Sequence, residues 1–95
     1  MIKMITVYCL LNTELGQEEN VLKKLKKEPY VKEAYHVHGV YEIVTKIEAE
    51  SREKMKYITN SKILFDIPEV RGTLALEVTG NPWDFVVKEE KAVTS

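Results

Sequence analysis

The stretch MITVYCLLN, Met4 to Asn12, sets the tightest constraint on the fold. It is rich in β-branched and aromatic residues and holds no glycine or proline, so it reads as a strand. Alternation puts Ile5, Val7, Cys9 and Leu11 on one face. Met4, Tyr8 and Leu10, with Thr6 among them, fall on the other. A strand that is apolar on both faces needs a cover on each.

The rest of the chain supplies one of those covers. Gln17 to Lys27 places Val21, Leu22 and Leu25 at helical spacing, with charge elsewhere and Pro29 as the stop. VKEAYHVH from Val31 and VYEIVTKIE up to Glu48 read as two strands on either side of Gly39, an antiparallel hairpin. Ser51 is placed to cap a second helix, with Met55 and Ile58 opening its buried stripe and Pro68 ending it. The stripe loses its regular period beyond Thr59. RGTLALEV gives a last strand with Leu74, Leu76 and Val78 on one face. The order strand, helix, strand, strand, helix, strand predicts an α+β fold, the ferredoxin-like βαββαβ sandwich, with two helices on one face of a four-stranded antiparallel sheet. The other face is left open, and its apolar residues Met4, Tyr8 and Leu10, with Thr6, predict sheet-to-sheet self-association, most simply as a symmetric dimer.

At 95 residues there is room for one small core, so residues 1–79 are expected to form a single domain. Residues 80–95 form a tail that opens with turn residues. Its two large aromatics, Trp83 and Phe85, are expected to dock on this chain or a neighbour. Fourteen basic and fifteen acidic side chains leave a net charge of −1, which gives no broad positive field for nucleic acid. No apolar run is long enough to span a membrane, and the start lacks a signal-peptide pattern, so the expected location is the cytoplasm. Cys9 is the sole cysteine. It lies in an apolar run, where a buried and inert thiol is expected.

The chemistry-bearing residues crowd into YHVHGVYEI, Tyr35 to Ile43. With Gly39 and Val40 as a two-residue type II′ loop, His38 would face Tyr41, His36 would face Ile43, and His36, His38 and Tyr41 would share a sheet face. Two histidines at i and i+2 lack a third ligand there, because Glu42 points the other way, so no metal site is expected. No nucleophilic triad is visible. Binding remains: a glycine turn exposes main-chain N–H and C=O groups, and Glu42 offers an anion for an ammonium group. Those are the needs of an α-amino acid.

From Ile5 to Val78 the chain resembles the effector-binding RAM domain of the Lrp/AsnC leucine-responsive regulatory proteins. The likeness lies in VYCLLNTELGQEENVLKKLKKEPYVKEAY, in HGVYEIVTKIEA and in IPEVRGTLALEV. With its first strand starting near Met4, the chain resembles the stand-alone form, without a helix-turn-helix ahead. The resemblance implies a fold of the dimeric α/β barrel type, a dimer with sheets face to face and often rings of dimers. It implies no cofactor and no catalytic residues, and amino-acid effectors held between dimers near the glycine hairpin. Gly39, Val40, Tyr41 and Glu42 would line that crevice, with His36 and His38 nearby and Thr73 contributing from the last strand. The family usually has aspartate at Glu42 and often a second hydroxyl residue at Ala75, which points to a different ligand.

The expected function is therefore a non-enzymatic sensor that binds an amino-acid-like molecule, changes its assembly and mixes with full-length regulators of the same family. The alternative is a small dimeric enzyme of the monooxygenase or isomerase type using His36, His38 and Tyr41, which requires these side chains to converge in a closed pocket. An ACT-type amino-acid-binding domain shares the same order of elements.

Overall fold

The computed structural model describes residues 4–63 and 66–79. The tail with Trp83 and Phe85 lies outside them. The elements follow the predicted order: β1 (Ile5–Thr13), α1 (Glu18–Lys26), β2 (Val31–His36), β3 (Ile43–Ala49), α2 (Arg52–Tyr57) running into a π-helical segment (Ile58–Ile63), and β4 (Val70–Glu77). The strands form one antiparallel sheet in the order β2-β3-β1-β4. This is the ferredoxin-like arrangement, with β1 paired on both sides.

Alternation along β1 sends Val7, Cys9 and Leu11 into the core, where they meet Ile43 and Ile47 from β3, Val21 and Leu25 from α1, Met55 from α2 and Ile58 from the π-helical segment. Fully burying such a side chain contributes about 1.5–3 kcal/mol. Thr45 is the polar member of this layer, with no exposure, and its hydroxyl donates to the Glu33 carbonyl at 3.0 Å. Burial pushes the Cys9 thiol up to about 11, which fits an inert structural cysteine.

Helix α1 has acidic residues in its first turn and lysines in its last, the arrangement its dipole favours. Ser51 caps α2 as expected, its hydroxyl accepting from the Lys54 amide at 3.1 Å. Regular α-helix stops at Tyr57, short of the predicted continuation towards Pro68. In the π-helical segment the buried residues Ile58 and Ile63 are five apart, matching the i→i+5 repeat. That spacing is why the buried stripe loses its α-helical period beyond Thr59.

The hairpin also departs from the two-residue turn. β2 ends at His36 and β3 begins at Ile43, so residues 37–42 form a longer connection and the His38–Tyr41 pair is not made. His36 does face Ile43. Gly39 has φ of +155°, far from the value near +60° that the first central position of a type II′ turn takes.

Candidate functional site

One main-chain hydrogen bond closes the 37–42 connection on itself, and three more hold it against the end of β1. The Val37 amide donates to the Glu42 carbonyl at 2.8 Å, and the Glu42 amide donates to the Leu11 carbonyl at 3.0 Å. Glu42 Oε1 then accepts from the Thr13 amide at 2.8 Å and from the Thr13 hydroxyl at 3.3 Å. The reason lies in β1. Its register with β4 shifts between Asn12 and Thr13, and the carboxylate supplies an acceptor where the ladder is disturbed. Glu42 is thus not the wholly free anion that its place in the sequence suggested. One of its two oxygens is a structural acceptor.

Thr13 was the residue that sequence reasoning missed. Its signal was period two: positions 5, 7, 9, 11 and 13 share a face, so Thr13 continues the core series and is buried, with 8% exposure.

At the tip, Gly39 has a φ that side-chain-bearing residues rarely adopt. A Cβ there would come no closer than 3.9 Å to the Tyr41 carbonyl, so backbone conformation and not crowding calls for glycine. Val40 is 86% exposed, Tyr41 is half-buried, and His36 and His38 are exposed with ring centroids 6.2 Å apart. Among the described residues no three His, Cys, Asp or Glu side chains gather as a metal-binding group.

Thr73 faces Leu11, which on its other side faces Ile43, so Thr73 and the hairpin stand at the same end of the sheet with β1 between them. They form a rim, open to solvent in one subunit. Clefts of about 460, 370, 270 and 240 Å³ are lined by other residues. His36, His38 and Tyr41 therefore do not converge in any of these clefts, as the enzyme alternative requires.

The uncovered side of the sheet is apolar along β1 and β4. Tyr8 faces Leu76 and Leu10 faces Leu74, and Leu74, Leu76 and Val78 are 41%, 49% and 39% exposed. Towards β2 it turns polar, with Lys46 about 4.0 Å from both Glu33 and Glu48.

Residues 6–82 match the Lrp/AsnC ligand binding domain. The chain belongs to this family. Among solved structures, this Lrp/AsnC domain is similar to FFRP-DM1, with 31% identity, a TM-score of 0.75, and coverage of 79% of this chain and 99% of that one. Escherichia coli AsnC is 26% identical with a TM-score of 0.77, matching 82% of this chain but 52% of its own. A hypothetical protein from Pyrococcus horikoshii is 28% identical with a TM-score of 0.71, covering 87% of this chain and 99% of that one. A transcriptional regulator from Neisseria meningitidis, solved with L-methionine, shares the fold at 10% identity and a TM-score of 0.76, covering 82% of this chain and 51% of that one. No match was found among curated protein sequences. The domain spans about half the length of AsnC.

Proposed function

We propose that this Lrp/AsnC domain is a non-catalytic sensor. Two copies stack sheet to sheet, dimers meet around the hairpins, and an amino-acid-like effector is held at that junction by Gly39, Val40, Tyr41 and Glu42, with His36, His38 and Thr73 at its border. The observation that carries this reading is the apolar half-face of Tyr8, Leu10, Leu74, Leu76 and Val78, which one chain leaves uncovered. An exposed patch of that kind marks an interface. The methionine held by the Neisseria regulator supports the class of effector.

Glu42 keeps one carboxylate oxygen for an ammonium group while the other holds Thr13, and the open peptide groups around Gly39 suit a carboxylate. Binding between subunits couples ligand to assembly by linkage. The domain would act in the cytoplasm and pass its signal to full-length regulators of the same family by mixed assembly. No described helix is long and apolar enough to cross a membrane.

Static light scattering with and without a panel of amino acids tests the proposal. The expected result is a dimer or larger assembly whose mass shifts with at least one amino acid. A monomer at micromolar concentration that ignores the whole panel would overturn it.

A further inference from the structure

The 460 Å³ cleft lies far from the hairpin, where the α1–β2 turn, the end of β3 and the α2–π junction meet. Its volume is within the range of about 300–1,000 Å³ that small-molecule sites occupy. Tyr30, Tyr57, Ile58, Ala49 and Met4 make its lining mostly apolar. Three separate features single it out.

First, the Tyr30 hydroxyl is buried and has no hydrogen-bond partner among the described residues. Burial first, and then the Glu28 carboxylate beside it, push its titration upwards, although the two do not meet in full hydrogen-bond geometry. A buried donor left without a partner is costly, and a ligand that supplies one recovers that cost. Second, Tyr57 and Ile58 line the cleft where α-helix passes into π-helix, a rare irregularity frequent at functional sites. Third, the lining charges divide into engaged and unengaged groups. Lys62 pairs with Asp66, Glu48 lies near Lys46, and Lys32 donates to the Pro29 carbonyl. Lys54 Nζ and the Glu28 and Glu50 carboxylates have no ion pair among the described residues. Among the described residues the walls thus offer Lys54 as a cation and Glu28 and Glu50 as anions, none of them ion-paired, around an apolar floor.

We infer that this cleft is a second small-molecule site, independent of the subunit junction, which takes a zwitterion with an apolar side chain. The ligand's carboxylate meets Lys54 and the Tyr30 hydroxyl, its ammonium group meets Glu28 or Glu50, and its side chain lies against Tyr57 and Ile58. This rests on the amino-acid-sensing reading for the ligand class but not for the place.

The test is a titration of the isotope-labelled 95-residue chain with L-methionine, L-leucine and L-phenylalanine, followed by amide NMR shifts. At least one amino acid is expected to shift Tyr30, Ala49, Tyr57 and Ile58. N-acetyl-L-leucine and L-leucine amide, each lacking one charge, should bind more weakly. Tyr30→Phe and Lys54→Met should each weaken binding about tenfold or more, the loss expected for a hydrogen bond to an ionised carboxylate. Tyr30→Phe should leave thermal stability unchanged or raised, because it deletes an unpartnered group, whereas a purely structural hydroxyl would lower it when removed. Unaltered affinity in both variants overturns the inference. Shifts confined to residues 36–42 overturn it and leave the hairpin proposal standing, and shifts nowhere remove both.

Discussion

The two faces of the sheet carry similar side chains and meet different fates. On one face Val7, Cys9, Leu11, Ile43 and Ile47 are covered by α1, α2 and the π-helical segment and show 4% exposure or less. On the other, Tyr8 and Leu10 come from β1 itself, at positions neighbouring the buried ones, and Leu74 and Leu76 from β4, and all four stay partly or largely exposed. Period two in β1 builds both. The closed face is therefore explained within one chain, while the open face is apolar surface that the chain leaves uncovered. Stability should reside in the first and assembly in the second.

Replacing a residue of the closed face gives the largest expected effect. Ile47→Ala removes a side chain with no exposure between β1 and the helices, and should cost about 2–5 kcal/mol in urea unfolding. A loss below about 1 kcal/mol would mean that the helices do not seal this face.

Cys9 probes the same face by pH. Its folded-state pKa is raised from 9.0 to about 11 because burial disfavours the thiolate. A raised value means stability that is complete below pH 9 and lost as the pH climbs through 11. The shift corresponds to about 2–3 kcal/mol. Cys9→Ala should show a shallower alkaline decline than the parent between those limits, read as the difference in unfolding free energy. Parallel declines would show that the thiol is not sealed.

At the rim where the closed face ends, Glu42 holds the Thr13 amide. Glu42→Ala leaves that buried N–H without its acceptor, at a cost of about 1–3 kcal/mol. Glu42→Gln keeps an oxygen at the same reach and should cost less. Glu42→Asp is one methylene short and should behave like alanine. Urea unfolding with amide exchange at Thr13 distinguishes the three; a harmless alanine variant would return Glu42 wholly to the solvent.

These residues also show how far the sequence could be read. Periodicity gave every strand and both helices, because alternation at period two and the Val21, Leu22, Leu25 stripe follow directly from which side faces the core. It gave the open face for the same reason. The π-helical segment registered only as a stripe falling out of step, since buried positions five apart match neither helical nor strand spacing. The hairpin was misjudged because a Gly-Val pair between strand-like runs looks like a two-residue turn. Glu42 instead folds back on Thr13, a contact between residues 29 apart that no local pattern encodes. The cleft around Tyr30 was invisible for the same reason, as its walls come from distant turns.

Leu76→Lys on the open face should have the smallest effect on the folded chain and the clearest effect on its company. Leu76 lies on an edge strand, 49% exposed, so a lysine there costs little in the isolated subunit, within about 0.5 kcal/mol. If two copies stack through this face, the parent's melting temperature rises with protein concentration, because association stabilises only the folded state. The variant places an ammonium group opposite Tyr8, in the middle of the apolar half-face, where docking would bury it unpaired. Its melting temperature should be independent of concentration and equal to the parent's at high dilution, and sedimentation should give a monomer. A variant that still assembles like the parent would mean that subunits meet elsewhere. The apolar half-face would then stand without a partner and the contrast between the two faces would lose its functional meaning.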